Sequence, residues 1–180
     1  MIIGLVGFKQ IGKSTAAAHL ESVHNFKRHN FKDALVAEIK EGFPDLLEMM
    51  ARQESLEIEE LFQEKPPLMR ALMQNFGTEV RRKQDRNYWV KQWVNKVASM
   101  KGNIVADDIR FKNEAACLKG QGGVIIRLTR PDVATGGSHS SEMEQLDIVA
   151  DYTIDCVQGD HQGLYNKLDS VYEEIKASKV

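Results

Sequence analysis

The residues with the clearest chemistry lie near the start of the chain, where Gly7-Phe8-Lys9-Gln10-Ile11-Gly12-Lys13-Ser14 fits the pattern G-x-x-x-x-G-K-[ST]. Glycines let such a loop turn tightly enough for its N–H groups to surround phosphate oxygens, and the helix that follows directs its positive end at the anion. The Lys13 ammonium can reach the β- and γ-phosphates, and the Ser14 hydroxyl is a ligand for Mg²⁺. The pattern predicts a site for a nucleoside triphosphate with Mg²⁺, formed by Phe8, Lys9, Gln10, Ile11, Gly12, Lys13, Ser14 and Thr15.

A second group of charged residues, Asp108, Arg110 and Glu114, follows a short apolar run and opens a predicted helix. The carboxyl ends of parallel strands form the ligand crevice of an α/β sheet, so these residues are expected beside the phosphate loop. Arg110 and Glu114 are four apart and share a helix face if the helix has begun. Two carboxylates and a guanidinium could bind a phosphorylated, hydroxylic substrate. A structural Arg–Glu pair that caps the helix is the alternative.

The elements that position these residues are predicted from apolar periodicity. The continuous apolar run Ile2–Val6 indicates a strand buried on both faces, and a helical pattern follows from Lys13. Strands alternating with helices indicate an α/β fold with a parallel sheet. The remaining strands are predicted at 26–29, 103–108, 124–128 and 152–154, with a closing helix over 164–175.

The stretch 44–100 contains no convincing strand and predicts a helical insertion into a core formed by 1–43 and 101–180. Pro66 is predicted at the first position of one of its helices. Trp89 and Trp93 lie one turn apart, so one of them can be core and the other an aromatic platform. Residues 131–141, rich in Gly, Ser and Thr, predict a mobile loop, with a lid over about 130–142.

Composition limits the class of protein. With 180 residues, 42% hydrophobic and 28% charged, the chain is expected to form one globular domain. The formal net charge of −2 disfavours a binder of duplex nucleic acid. Two cysteines, Cys117 and Cys156, exclude a disulfide framework and favour the cytoplasm. The apolar run Ile2–Val6 is too short for the core of a signal peptide, and no apolar run of 18 residues occurs, so neither export nor a membrane partner is expected.

Three function classes use such a phosphate loop: a small-molecule kinase, a GTPase switch, and an ATPase that acts on DNA or a partner. Asn166-Lys167-Leu168-Asp169 spells the guanine-reading N-K-x-D, and residues 160–163 spell D-x-x-G. These two motifs are nearly contiguous, and N-K-x-D falls inside an amphipathic helical pattern, which disfavours the GTPase. The DNA-directed ATPase is disfavoured because the chain lacks both a basic face and a four-apolar run that ends in Asp-Glu.

An ordered series of motifs is more specific. It comprises R-x-x-x-Q-x-x-G-T-E over 70–79, D-R-N-Y-W-V over 85–90, D-x-R-x-x-x-E over 108–114, R-L-T-R-P over 127–131 and H-x-S-E over 139–142. From Gly7 to about Asp155, the chain resembles the bacteriophage deoxynucleoside monophosphate kinases. The resemblance implies a P-loop three-layer fold with a parallel sheet, a helical substrate-binding insertion and a lid. It also implies transfer of the γ-phosphoryl group of ATP to a deoxynucleoside monophosphate, with Mg²⁺.

The resemblance also implies roles for single residues. Lys13, Arg110 and Asp108 are the catalytic residues, with Asp108 either holding Mg²⁺ through water or accepting a hydrogen bond from the acceptor sugar. Two further roles come from the residues themselves: Arg130, at the start of the lid, is expected to cover adenine or meet the phosphates, and the loop pattern makes Ser14 the Mg²⁺ ligand. The substrate-binding residues are Arg70, Glu79, Trp89, Asp108, Arg110 and Glu114.

This chain departs from the family in two respects: some phage members carry Asp at the position of Ser14, and the chain is shorter than the phage members. Substrate range is therefore open, and a dephospho-coenzyme A kinase is the nearest alternative. Small nucleotides are the expected partners, without stable nucleic acid. A homodimer is expected, located in the cytoplasm, and in that of the host if the protein is phage-encoded.

Overall fold

The computed structural model describes residues 1–131 and 144–178. The chain divides into two compact units. The sheet unit comprises Met1–Asn30 and Val97–Val180, and the helical unit comprises Phe31–Lys96. Among the helices of the described residues, none has the length and apolar character needed to span a bilayer.

The sheet unit is built on five parallel strands in the order β2-β3-β1-β4-β5. The strands are β1 (Ile2–Val6), β2 (Phe26–Arg28), β3 (Asn103–Ile109), β4 (Val124–Thr129) and β5 (Tyr152–Asp155). Three helices accompany them: α1 (Lys13–His24), α7 (Lys112–Gly120) and α8 (His161–Ala177). A short 3₁₀ turn spans Gln145–Asp147. The parallel α/β prediction is confirmed, and each predicted strand boundary agrees with the structure to within one residue.

The central strand β1 is covered on both faces, which is why its sequence is apolar throughout. On one face, residues of α1 and α8 join β1 in a single core cluster that includes Leu5, Leu20 and Leu168. On the other face, a Cβ added to Gly4 would lie within 3 Å of Ile109, Leu118 and Ile125. The glycine therefore lets α7 and its neighbouring strands pack closely against β1.

The helical unit contains α2 (Lys32–Gly42), α3 (Pro44–Glu54), α4 (Ile58–Glu64), α5 (Pro67–Gln74), a π-helical segment (Asn75–Arg82) and most of α6 (Tyr88–Val97). No strand occurs in this unit, as predicted. The predicted assignment of residues up to 43 to the core needs correction, because α2 belongs to the helical unit. The physical reason is Ile39, which is fully buried in a cluster with Leu47, Met50 and Met69. A smaller correction concerns α5, which begins at Pro67 rather than Pro66.

Within the sheet unit, Asn30 connects the chain after β2 to the interior of β3. The Asn30 Nδ2 donates to Asp107 Oδ1 at 2.7 Å, and the Asp107 backbone N–H donates back to Asn30 Oδ1 at 2.9 Å. Both residues are buried, with 4% of Asn30 and 6% of Asp107 exposed. Two reciprocal hydrogen bonds therefore fix the backbone and the carboxylate of Asp107 together.

The reciprocal pair makes Asn30→Ala an informative substitution. We expect it to lower the free energy of unfolding by about 2–4 kcal/mol, because it leaves a buried N–H and a buried carboxylate oxygen without Asn30 as their partner. Urea denaturation measures the change. Asn166→Ala, at an exposed position of α8, is the control and should change stability by less than about 0.5 kcal/mol. Equal stability of both variants would show that the Asn30 pair contributes nothing.

Candidate functional site

The loop between β1 and α1 has the backbone conformation that its glycines allow. Gly12, at the N-cap of α1, has φ 106°, and Gln10 also has a positive φ of 64°. A Cβ added to Gly7 would lie 2.6 Å from the carbonyl oxygen of Leu128 in β4. The first glycine is therefore required by a close approach of backbone to backbone, and Gly12 by its left-handed φ. This geometry fits a phosphate-binding loop.

The Lys13 side chain folds back over this loop. Its ammonium donates to the carbonyl oxygens of Gly7 at 2.6 Å and Phe8 at 2.7 Å. Lys13 is also the first residue of α1, where the unpaired N–H groups of the helix favour an anion. A cation and a helix N-terminus thus meet at one loop, which is the arrangement that a bound phosphate requires.

The guanidinium of Arg28, at the end of β2, is hydrogen-bonded to both Ser14 and Asp107. Its Nη2 donates to the Ser14 carbonyl at 3.3 Å and to Glu21 Oε2 at 2.6 Å. Its Nη1 donates to Asp107 Oδ2 at 3.4 Å. Ser14 itself is exposed, so its hydroxyl is accessible. An exposed hydroxyl on α1 and carboxylates on the adjacent strand β3 are the hard oxygen donors that Mg²⁺ prefers.

The end of β3 carries two consecutive carboxylates in different environments. Asp107 is buried and Asp108 is half-buried. The pairing of β1 with β3 shifts register between Gly4 and Val6, so that β3 contains one extra residue at this point. Such irregularities re-aim side chains at the ends of strands. The sequence analysis selected Asp108 and missed Asp107, whose carboxylate is bonded to Arg28 at the end of β2 and to Asn30 just after that strand.

Glu114 lies at the N-terminus of α7, with its carboxylate turned to the backbone. It is 3% exposed, and its Oε2 accepts from the backbone N–H of Arg110 at 2.9 Å and of Phe111 at 3.1 Å. Since α7 begins at Lys112, Arg110 precedes the helix, and the expected shared helix face of Arg110 and Glu114 does not form. Glu114 holds the backbone from which Arg110 extends. The Arg110 residue is exposed, and its guanidinium has no hydrogen-bond or ion-pair partner among residues 1–131 and 144–178.

Arg130 follows β4 directly and contacts the phosphate loop. Its Nη1 donates to the Gln10 carbonyl at 3.1 Å. Beyond it, the predicted lid, including His139 and Ser141, lies outside the described residues except for its first two positions. At the start of the second described range, Glu144 Oε1 accepts a hydrogen bond from the Lys112 backbone N–H at 3.0 Å. The two flanks of this segment are therefore attached to the phosphate loop and to the N-terminus of α7.

The helical unit carries the remaining predicted substrate residues. Arg70 on α5 and Glu79 in the π-helical segment are exposed, and their side chains have no polar partner in the described part of the chain. Trp89 is 3% exposed, and its indole N–H donates to the Gly77 carbonyl at 3.0 Å. The prediction of Trp89 as an aromatic platform needs correction, because a buried ring offers no face to a base.

A charged cluster, formed by Glu38, Arg81, Phe76 and Tyr88, fixes the π-helical segment. Arg81 Nε donates to Glu38 Oε2 at 2.9 Å, and its guanidinium carbon lies 5.1 Å and 5.0 Å from the ring centroids of Phe76 and Tyr88. The Tyr88 hydroxyl donates to Glu38 Oε1 at 2.6 Å. This hydrogen bond raises the pKa of Tyr88 above its ordinary value. The sequence analysis did not predict this π-helical segment.

The apparent guanine-reading motif lies inside α8, as the apolar spacing predicted. Leu168 is fully buried, Lys167 Nζ donates to the Asp155 carbonyl at 2.7 Å, and Asp169 pairs with two histidines of α1. All three side chains have structural partners. The motif therefore gives no support to a GTPase.

Comparison with known proteins identifies similar sequences. The deoxynucleotide monophosphate kinase family matches residues 48–167 of the chain. A protein of Acanthamoeba polyphaga mimivirus, assigned by inference as a deoxynucleotide monophosphate kinase, is 31% identical, with 80% of this chain and 81% of the relative covered. The family match begins after the phosphate loop, whose assignment rests on its own pattern and geometry.

Similar solved structures include two shikimate kinases. The enzyme from Acinetobacter baumannii, in complex with shikimate, has a TM-score of 0.50 at 18% identity, with 96% of this chain and 93% of that chain covered. The enzyme from Aquifex aeolicus vf5 has a TM-score of 0.49 at 15% identity, with 97% of each chain covered. The likeness to the first shows that the chain has the same fold as a shikimate kinase.

Trp89→Phe distinguishes a core role from a platform role. We expect a loss of about 1–3 kcal/mol in the free energy of unfolding, because the Gly77 carbonyl loses its donor and the smaller ring leaves space. The KM for a nucleoside monophosphate should stay unchanged. Denaturation and steady-state kinetics on the same preparation provide both numbers. A raised KM with unaltered stability would restore the platform role.

Proposed function

Because the chain belongs to the deoxynucleotide monophosphate kinase family, a phosphotransferase family that acts on nucleoside monophosphates with ATP as donor, we propose where each substrate binds. ATP occupies the loop from Phe8 to Thr15, and the acceptor phosphate lies against Arg110. The observation that carries this proposal is Arg110. It is an exposed guanidinium without a polar partner in the described residues, held by the Glu114 cap at the end of the strand next to the loop strand.

Lys13 changes partners when ATP binds. Its ammonium donates to two loop carbonyls, and a triphosphate supplies oxygens with far more negative charge. Charge-assisted hydrogen bonds to these oxygens are stronger than those to neutral carbonyls. The ammonium then offsets the charge that spreads over the transferring group, and the first turn of α1 adds its N–H dipoles.

Mg²⁺ fits the donors that this site offers. The exposed Ser14 hydroxyl and the Asp108 carboxylate would hold the ion, with Asp108 acting directly or through water. Asp107 is already bonded to Asn30 and Arg28 and keeps Asp108 in place. When bound, the ion neutralises phosphate charge and orients the donor.

The acceptor side needs no general base, because the attacking atom is an ionised phosphate oxygen. Arg110 grips the acceptor phosphate with two parallel N–H···O bonds and reduces its repulsion from the triphosphate. Glu114 is a positioning residue: it fixes the backbone of Arg110 and does not touch substrate. Arg130, already hydrogen-bonded to Gln10, contacts adenine or the phosphates of ATP.

We propose deoxynucleoside monophosphates as the acceptors, in line with the family and the mimivirus relative. For the helical unit taken by itself, Arg70 and Glu79 are the proposed substrate-binding residues, since both are exposed without polar partners in the described part of the chain. The enzyme works in the cytoplasm, where ATP and nucleotides are abundant, as a homodimer without stable nucleic acid.

The experiment that tests this function is a coupled assay of ADP release with each deoxy- and ribonucleoside monophosphate and with dephospho-coenzyme A. ATP alone should be hydrolysed slowly, and a cognate deoxynucleoside monophosphate should accelerate ADP release many-fold. Acceleration by dephospho-coenzyme A alone, or by DNA, would contradict the proposed acceptor.

Lys13→Ala should lower kcat at least ~100-fold while the fold persists.

Arg110→Lys tests the acceptor site. Lysine keeps the charge but cannot form the bidentate grip, so kcat/KM for the monophosphate should fall by more than ~10-fold with ATP binding little changed. Arg52→Lys is the control, since Arg52 lies on α3 in an exposed pair with Glu48. Normal kinetics together with a slightly lowered melting temperature would place the acceptor elsewhere.

A further inference from the structure

Two histidines of α1 and one aspartate of α8 form a cluster in which the side chains contact one another through their polar atoms. The Nε2 atoms of His19 and His24 both lie 2.7 Å from the same atom, Oδ1 of Asp169. The two imidazole centroids are 5.9 Å apart, with the rings nearly perpendicular. The three ligand-type atoms all lie within 4.8 Å of one another. None of the three residues takes part in the phosphoryl-transfer site proposed above.

Aromatic contacts hold the imidazoles in this orientation. The His19 ring stacks on Tyr165 at a centroid distance of 4.2 Å and an angle of 5°, and the His24 ring lies 3.9 Å from Tyr172. Tyr165, Asp169 and Tyr172 are spaced by four and three residues and so share one face of α8. Each histidine is thus fixed by its own tyrosine, with its Nε2 directed at the carboxylate between them.

We propose that His19, His24 and Asp169 form a binding site for a divalent transition-metal ion such as Zn²⁺. Metal bonds of 2.0–2.1 Å in a tetrahedral arrangement separate ligand atoms by about 3.3 Å. To admit the ion, both N···O distances must open from 2.7 Å to about 3.3 Å, and the two imidazole nitrogens must also lie about 3.3 Å apart. The Asp169 side chain is 41% exposed, which leaves an entry path and a fourth position for water.

The donor set selects the kind of metal. Imidazole nitrogens suit Zn²⁺, Co²⁺ and Ni²⁺, whereas Mg²⁺ prefers six oxygens. This site is therefore separate in chemistry from the Mg²⁺ of the kinase reaction. Burial by itself raises the pKa of Asp169. The hydrogen bonds from His24 and His19 lower this pKa by more, so that it lies below its ordinary value and the carboxylate is ionised.

The consequence of metal binding is mechanical. His24 is the last residue of α1, and Asp169 lies in the middle of α8. The ion would fasten the C-terminal helix to the helix that begins at the phosphate loop. Because the ligands come from two elements that are far apart in sequence, the unfolded chain binds the ion weakly, and binding stabilises the folded state.

Thermal unfolding of metal-stripped protein tests the site. ZnCl₂ at about 100 times its Kd should raise the melting temperature by about 5–10 °C, and MgCl₂ should not reproduce the rise. His24→Gln and Asp169→Asn should lose the zinc effect. His161→Gln is the matched control: His161 is a histidine of the same helix, 6.4 Å from Tyr165 in ring centroid distance, outside the three-atom cluster. This variant should keep the full effect.

CoCl₂ provides a readout that does not depend on the folding of any variant. The wild-type protein should bind one Co²⁺ with the intense visible absorption of a tetrahedral complex, and Zn²⁺ should displace it. Absence of both the zinc-induced rise and the cobalt spectrum in the wild type would overturn the proposal. So would a zinc effect that persists in His24→Gln and Asp169→Asn, or a cobalt spectrum with thiolate charge-transfer bands.

Discussion

The parallel pairing of β1 with β3 on one side and β4 on the other is the constraint on which the site depends. Parallel strands end at the same edge of a sheet, so whatever follows these three strands is brought together. The phosphate loop follows β1, Asp108 and Arg110 lie at the end of β3, and Arg130 follows β4. The loop is further fixed by the contact of Gly7 with the Leu128 carbonyl, which leaves no space for a side chain.

Charge is distributed at this edge in two ways. Some ions are neutralised within the protein: Asp107 by Arg28, with Asn30 adding a hydrogen bond, and Arg28 also by Glu21. Arg110 has no such partner in the described part of the chain. A buried charge needs partners within the protein. An exposed guanidinium is hydrated and can remain without a protein partner until a phosphate binds, at little cost in free energy. The internal pairs make the scaffold rigid, and the unpaired cation is where a ligand can bind.

Local sequence was sufficient for most of the fold. The apolar run of β1, the glycine pattern of the loop and the spacing of Leu164, Leu168 and Ile175 in α8 each carry their own signal. Prediction from local sequence failed for residues whose environment is decided by tertiary packing. The burial of Trp89 depends on a hydrogen bond to Gly77 in a π-helical turn, and that turn depends on Glu38 in another helix. The sequence did not reveal that Asp107, rather than Asp108, is the buried carboxylate with internal partners. These partners, Arg28 and Asn30, lie at the end of β2 and just after it, far from Asp107 in the sequence.

The most direct test of the account follows the phosphoryl group itself. The protein is incubated with ATP labelled at the γ-phosphate and with one deoxynucleoside monophosphate at a time, and the labelled products are separated and identified. The account predicts that the label is recovered in the corresponding deoxynucleoside diphosphate. Label recovered only as inorganic phosphate, or on none of the deoxynucleotides, would contradict it.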